Sequence, residues 1–463
     1  MYLGLTQSGL TLGEAAELCE GELFGADKNA RFFSYSTDSR KISGGELFFA
    51  LSGEKFDAHR FVPDVVAAGA LCAVVSKPQA ENIPHILVRD TRTALGAFAR
   101  GYYARFASLT VGVTGSVGKT TTKDFIAAVL AEKYETAKTQ GNFNNEIGLP
   151  MTLLAFEAPK NALVAEMGMS ARGEISRLTR IARPDIAVIT NIGSSHLENL
   201  GTRENIALAK LEIAEGLSEG GLLIVNGDEP LLAGAKSVWE NALFVSLQSE
   251  KCDYFAYNIK EEAGFTSFCY NTPKEAGRCA SIPAAGRHNV YNALLAIAVG
   301  EAAGLTCEQT EKGLLAFKGA AMRAEAKKRG DFTLVEDCYN ASPESMRASI
   351  DVLAGGTYGA GRKIAFLGEM RELGKDSPAM HFGVGKYAAE KGVDLLFAFG
   401  AGAEEIALGA ESAGMSAEKI FRLPDAENAD AAAEKLKENL KKGDIVLFKA
   451  SRALGLERVS AKI

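Results

Sequence analysis

Apolar and polar positions alternate in three successive textures along this chain. Over the first ninety residues the short apolar runs ELFFAL (46–51), LCAVVSK (71–77) and HILVRD (85–90) predict strands. FVPDVVAAGA (61–70) carries apolar residues at helical spacing, so a small α/β domain over 1–90 is expected. TRTALGAFARGYYARF (91–106) again reads as a helix and opens a second block. There VGVTGS (111–116), NALVAEMG (161–168), DIAVITNIG (185–193) and GLLIVNGD (221–228) repeat a strand–turn–helix rhythm. Apolar runs of this kind, separated by helices, predict a mostly parallel sheet covered on both faces. From about 244 to 283 the pattern is β-like without long helices, which suggests a small antiparallel annex, and HNVYNALLAIAVGEAAG (288–304) is a helix closing the domain at 91–319. In the third block, 320–463, RKIAFLGEM, DLLFAFG, KIFRLPD and GDIVLFKAS alternate with alanine-rich helices, a second parallel α/β pattern. It contains no GxGxxG, which argues against dinucleotide binding there. The expected class is α/β in three domains.

The second block carries the clearest chemistry. In VGVTGSVGKTTTK (111–123) a short apolar strand runs into a glycine-rich turn ending in Gly-Lys-Thr. Gly115 and Gly118 let the backbone of Gly115, Ser116, Val117 and Gly118 turn tightly, so that N–H groups face an anion. Lys119 supplies charge for terminal phosphates, and the hydroxyl of Thr120, with Thr121 beside it, opens a helix where magnesium is commonly held. Val113 stands where the longer form of this loop has glycine, so the match is to the shorter Thr-Gly-x-x-Gly-Lys-Thr. The loop predicts binding of a nucleoside triphosphate.

Glu166 and His196 each follow an apolar run, at the strand ends where open parallel sheets bind ligands. A carboxylate and an imidazole meeting there suit a metal ion; taken singly, each is an ordinary polar loop residue. Lys210, in LGTRENIALAKLEIAEGL, reads as a solvated helix charge. Arg323 and Asp337 flank the join between the second and third blocks. They suit a transferring phosphoryl group and a ribose respectively, or a surface ion pair. Asp38, Ser39 and Arg40 precede a glycine turn, as either an ordinary turn or a polar pocket for an anion.

Composition narrows the partners. A net charge of −7 argues against a broad nucleic-acid or anionic-membrane surface. The seven cysteines are scattered without a CxxC pair, so reduced thiols and no structural zinc are expected. No apolar run approaches membrane-spanning length and no leader is expected, which points to a cytoplasmic protein without membrane insertion.

Several segments together resemble the Mur ligase family: TGSVGKTTTK, GNFNNEIGLP (141–150), EMGMSARGEI (166–175), TNIGSSHLENLGTRENIALAK (190–210), GRHNVYNALLA (286–296), EDCYNASPESM (336–346), GEMRELG (368–374) and KASRALGLE (449–457). Their order and spacing resemble the branch that adds D-alanyl-D-alanine to UDP-N-acetylmuramoyl-tripeptide. The resemblance implies an N-terminal domain for the UDP-sugar precursor, a central ATPase and a Rossmann-like C-terminal domain that closes over the site and binds the dipeptide. It makes Lys119 and Thr120 the residues for ATP phosphates and magnesium. Glu166 and His196 become magnesium ligands, and Lys210 the lysine that is carbamylated to serve a second magnesium. Asn289 and Asn292 fall near adenine, Arg323 at the γ-phosphate and Asp337 at the ribose. Asp38, Ser39 and Arg40 match the uridine strip, and Asn144 and Asn145 join the substrate residues. Arg371 or Arg452 is available for the dipeptide carboxylate, the alternative being that both only brace their loops. Four positions depart from the commoner pattern: Ser342 for asparagine, Glu369 for aspartate, Leu211 for a small residue and Ala450 for glycine.

The activity so implied is ATP-dependent: a precursor carboxylate takes the γ-phosphoryl group, and an amine displaces phosphate to form an amide. A monomer is expected. The rivals are a sister ligase adding one amino acid, a folylpolyglutamate synthase, a P-loop small-molecule kinase and a binding module without turnover. The Asp-Asn-Pro-Arg box of the diaminopimelate-adding sister is absent.

Overall fold

Three sheets carry the three textures. The computed structural model describes residues 3–4, 9–53, 56–262 and 264–463. In the N-terminal sheet the spatial order is Leu3–Gly4, Ser34–Ser36, Leu47–Phe49, Cys72–Val75, His85–Leu87 and Glu22–Phe24. Its four inner strands run parallel and its two edges antiparallel.

The central sheet has nine strands, in the order Thr136–Lys138, Ala162–Glu166, Leu109–Thr114, Ile186–Ile189, Leu222–Asn226, Ala242–Ser246, Tyr254–Glu262, Phe265–Asn271 and Arg278–Ile282. The first seven are parallel. Side-chain alternation divides their apolar residues between two layers. Val111, Val113 and Val164 pack with Phe125 and Ile126 of the helix Lys119–Leu130. Leu163 and Ala165 face Leu153, Ile175 and Leu178. That second layer is continuous with the N-terminal domain: Phe98, on the helix Thr91–Tyr103, meets Phe49 at 5.5 Å between ring centres.

The expected antiparallel annex takes a different form. Tyr254–Glu262 pairs parallel with Ala242–Ser246, so the meander through Arg278–Ile282 extends the central sheet itself. The expectation of reduced thiols is corrected in the same meander. Cys269 and Cys279 face each other across an antiparallel pair and form a disulfide, which ten residues of sequence separation without a CxxC did not reveal.

The C-terminal sheet runs Glu325–Arg329, Phe332–Glu336, Ile445–Lys449, Lys363–Gly368, Leu395–Phe399 and Ile420–Leu423, parallel except for the opening hairpin. Among the described residues no helix is long and apolar enough to cross a membrane.

Candidate active site between the central and C-terminal domains

The strand Leu109–Thr114 stops at Gly115, and the chain turns through Gly118 into the helix that begins at Lys119. Both glycines have positive φ, +150° and +84°. A Cβ on Gly115 would stand 1.8 Å from Thr190 Oγ1, and one on Gly118 2.9 Å from Asn292 Oδ1, so the turn admits no side chain at either place. The loop is braced from the neighbouring strand's end: Asn191 Oδ1 accepts the Val117 N–H at 2.9 Å and Thr190 Oγ1 donates to the Val117 carbonyl at 2.6 Å.

Lys119 Nζ donates to the carbonyls of Gly115 and Ser116 at 2.8 and 3.3 Å, folding back over the loop it follows. Burial pushes its pKa down; the Glu166 carboxylate opposes that shift and the Arg323 guanidinium adds to it. Glu166 lies beside Val113 in the parallel ladder, at the strand's carboxyl end, as its apolar run predicted. Its Oε2 accepts from Thr120 Oγ1 at 2.8 Å and its Oε1 from Asn144 Nδ2 at 2.9 Å. Thr120 Oγ1 in turn accepts from Arg323 Nη2 at 2.9 Å, while the guanidinium stacks over the Tyr339 ring at 4.4 Å. The nucleotide loop, the acidic strand end and the third domain thus meet on one hydroxyl.

These groups line a cavity of about 920 Å³ between the central and C-terminal domains, shared with Asn145, Asn289, Asn292, His196 and Asp337. Asn145 Oδ1 accepts the N–H groups of Ile147 and Gly148, while Asn292 accepts from Thr122 and donates to Asn289. Asp337 Oδ2 accepts from Lys449 Nζ at 2.6 Å and Ser349 Oγ at 2.5 Å. Arg323 and Asp337 therefore have separate partners and do not form the surface ion pair considered from sequence.

Lys210 overturns its helix-charge reading. It is 1% exposed, and no hydrogen bond or ion pair to its Nζ is present among the described residues. Burial, with the Lys119 charge adding to it, holds its pKa well below the ordinary lysine value. A short polar-looking helix concealed this because Ile206, Ala207 and Ala209 bury the same face.

Other predicted residues sit apart. Asp38, Ser39 and Arg40 form a closed turn after Ser34–Ser36, in which Asp38 caps the Arg40 N–H and pairs with its guanidinium; none lines the cavity. Arg371 lies 3.8 Å from Glu369, and Arg452 pairs with Glu457 at 2.7 Å. Both are half exposed and outside the cavity lining. The departures are accommodated locally. Ser342 caps the helix Pro343–Ala354, a position that serine and asparagine fill equally well. The Ala450 methyl packs against Gly368.

Sequence reasoning passed over Lys123 and Lys449, each 3% exposed. Lys123 Nζ donates to the Thr139 carbonyl at 2.9 Å and lies 3.8 Å from Glu166. Its signal was available: it falls one turn after Lys119 and on the same helix face as the apolar Ile126, Ala127 and Leu130.

The donor set suits magnesium held jointly with phosphate. Among the described residues no group of three acidic, histidine or cysteine side chains forms an all-protein cage. One carboxylate, Glu166, and one hydroxyl, Thr120, stand together at the start of a phosphate-type helix instead. Magnesium is usually bound that way, by one or two protein oxygens plus substrate phosphates.

Models of a Mur ligase catalytic domain, a Mur ligase middle domain and a Mur ligase glutamate ligase domain match residues 34–103, 113–300 and 322–452. Over 455 residues, 97% of each chain, the sequence is 41% identical to the UDP-N-acetylmuramoyl-tripeptide–D-alanyl-D-alanine ligase of Bacillus subtilis strain 168. The fold superposes on a crystal structure of MurF from Acinetobacter baumannii with a TM-score of 0.88, at 32% identity over 98% of both chains. It also matches the MurF ligase of Thermotoga maritima in complex with ADP, with a TM-score of 0.81 and 30% identity over 92% of this chain and 96% of that one. The three domains, the phosphate loop at their centre and the full-length likeness agree: this chain belongs to the Mur ligase family.

Proposed function

We propose that this chain is an ATP-dependent ligase that joins D-alanyl-D-alanine to UDP-N-acetylmuramoyl-tripeptide, giving the pentapeptide precursor, ADP and phosphate. The observation that carries the reading is the hydroxyl of Thr120, shared between Glu166 of the central domain and Arg323 of the C-terminal domain. It puts an anion loop, a metal-type carboxylate and a guanidinium of the third domain around one point, which phosphoryl transfer requires. The likeness to UDP-N-acetylmuramoyl-tripeptide–D-alanyl-D-alanine ligases along nearly the whole chain supports the substrate assignment.

The chemistry follows from charge. The tripeptide carboxylate attacks the γ-phosphoryl group of ATP to give an acyl phosphate, and the dipeptide amine then displaces phosphate. Two anions must approach, so Lys119 and Arg323 offset the repulsion and stabilise the transferring group. Thr120 and Glu166 would hold magnesium, which when bound neutralises phosphate charge. His196, and Lys210 as its carbamate, would hold a second ion. The neutral amine that burial favours at Lys210 is the form that reacts with carbon dioxide. Asn289, Asn292 and Asp337 take the adenosine, and Asp38, Ser39 and Arg40 take the uridine end. Asn144 and Asn145 face the precursor. Domain closure keeps water from the acyl phosphate.

The ligase is read as acting as a monomer. Both ATP and a UDP-linked precursor are cytoplasmic compounds, which places the reaction in the cytoplasm.

A phosphate-release assay tests the reading, with the lysine- and diaminopimelate-containing tripeptides each run with and without D-alanyl-D-alanine. Phosphate and an amide formed only with the dipeptide present are expected. ADP with a stable phosphorylated precursor would make the protein a kinase instead.

A further inference from the structure

Two of the few non-glycine residues with left-handed backbone meet across the domain boundary. His196 has φ +65° and Glu372, in the loop GEMRELG, has φ +64°. His196 Nδ1 and Glu372 Oε2 are 2.5 Å apart. The backbones are joined as well: the Glu198 N–H donates to the Glu372 carbonyl at 3.1 Å. A Cβ on Gly374 would lie 3.2 Å from the Glu198 Cα, so the two turns are pressed together. Left-handed backbone costs a residue with a side chain roughly 1–2 kcal/mol, and such conformations persist where surrounding contacts over-determine them.

The three residues before Glu372 are held by contacts within the C-terminal domain. The Glu369 N–H donates to the Phe399 carbonyl at 3.0 Å and the Arg371 N–H to Ser451 Oγ at 2.9 Å. The Met370 N–H donates to His381 Nε2 at 2.8 Å, while His381 Nδ1 donates to the Ser377 carbonyl, so the tautomer of that buried histidine is set. The loop is thus a rigid extension of the third domain, and its carboxylate reaches a side chain of the second.

We propose that Glu372 is a positioning residue that couples domain closure to the readiness of His196. With its carboxylate against Nδ1, Nε2 is left as the free lone-pair nitrogen of His196, a residue that lines the cavity. Opening the C-terminal domain withdraws the carboxylate, so His196 is oriented only when the dipeptide-binding domain is in place. The Nδ1 contact is close but lacks full hydrogen-bond alignment in this structure. Alignment of this kind commonly tightens only in the substrate complex. Because the Glu372 side chain is 51% exposed, its loss leaves no cavity in a core.

The proposal rests on the reading of His196 as a metal ligand, and the test separates the two. Wild type, His196→Ala, Glu372→Gln and Glu372→Ala are loaded with manganese and a non-hydrolysable ATP analogue. Manganese affinity and imidazole-nitrogen coupling are read by electron paramagnetic resonance, closure by small-angle scattering, and kcat and ATP KM separately. Glu372→Ala is expected to weaken manganese binding or kcat about 10–100-fold, to reduce closure and to leave ATP KM nearly unchanged. Glu372→Gln, still able to accept from Nδ1–H, should recover most of the loss. Wild-type affinity, coupling and closure in Glu372→Ala overturn the proposal. Nitrogen coupling absent from wild type and unaltered in His196→Ala overturns the ligand reading. Closure then decides the coupling role alone, and normal closure in Glu372→Ala overturns that too.

Discussion

Arg323 Nη2 donates to Thr120 Oγ1 at 2.9 Å, joining residues 203 positions apart across two domains. The hydroxyl donates its own hydrogen bond to Glu166, so the guanidinium reaches the phosphate loop through an already polarised group. A planar guanidinium stacked on Tyr339 at 4.4 Å is held at a fixed angle, which a lysine ammonium cannot reproduce. Arg323→Ala is expected to lower the rate of phosphoryl transfer about 10²–10³-fold, with Arg323→Lys recovering little. Single-turnover measurement of ADP formation checks this; a loss confined to ATP KM would assign Arg323 to binding alone.

The phosphate loop was legible in the sequence because its chemistry is local: one strand, two glycines and Gly-Lys-Thr define it without reference to anything distant. Glu166 was legible for a related reason, since an apolar run marks a strand and its last residue marks the ligand end. Lys210 was not, because its burial depends on packing from outside its own helix, and nine helical residues of mixed polarity do not reveal which face is covered. Lys449 and Glu372 were hidden for the same reason, as their partners Asp337 and His196 lie 112 and 176 residues away. The extension of the central sheet by Tyr254–Glu262 was equally invisible, because strand pairing is a long-range choice that alternation alone does not specify.

Lys210 yields a prediction of opposite sign for stability and activity. A buried lysine whose pKa is lowered releases its proton on folding, whereas the unfolded chain keeps it up to about pH 10.4. The unfolded state then binds more protons throughout that window, so wild-type stability rises with pH. The cost is absent above the ordinary lysine range, grows as the pH falls through it and levels off beneath the lowered pKa. In bicarbonate-free buffer Lys210→Met should therefore be at least as stable as wild type at pH 7.5, with its advantage shrinking toward pH 10. Its turnover should fall by about 10²-fold or more, with partial recovery on adding short carboxylates to Lys210→Ala. Urea midpoints across this pH range provide the measurement; an advantage that grows with pH would contradict the assignment of a buried neutral amine.

Asp337 and Lys449 form a largely buried ion pair at the cavity wall, with side chains 17% and 3% exposed. Removing the carboxylate strands the lysine, whose Nζ is left with only the backbone carbonyls of Asp337 and Asn340 at 3.3 and 3.4 Å. Asp337→Ala is expected to cost about 2–3 kcal/mol, less than a fully buried pair because the aspartate is partly solvated. Asp337→Ala with Lys449→Met should recover much of that stability. ATP KM should stay raised in both variants if Asp337 also holds the ribose. Denaturant unfolding and ATP titration read the two effects separately.

The amine substrate provides the last test. The loops GEMRELG and KASRALGLE follow the strands Lys363–Gly368 and Ile445–Lys449, adjacent in the C-terminal sheet, and are tied together where the Arg371 N–H meets Ser451 Oγ. A dipeptide bound there would present a carboxylate at one end and an amine at the other. On the proposed dipeptide reading, a ligand of that length pairs the polar groups at both of its ends. A single amino acid leaves one set unpaired, and discrimination against a ligand lacking a hydrogen-bonding group can reach about 10⁴-fold. Amide formation should therefore be fast with D-alanyl-D-alanine and weak with D-alanine, L-lysine or diaminopimelate. Arg452 is held by Glu457 at 2.7 Å and Arg371 lies 3.8 Å from Glu369, so each must leave a carboxylate to take that of the dipeptide. Arg371→Ala and Arg452→Ala separate the possibilities. The arginine that binds substrate should raise the KM for D-alanyl-D-alanine about tenfold or more without changing that for ATP, while one that only braces its loop should alter thermal stability and leave both KM values alone. Equal rates with L-lysine or diaminopimelate would move the protein to a sister branch of the family.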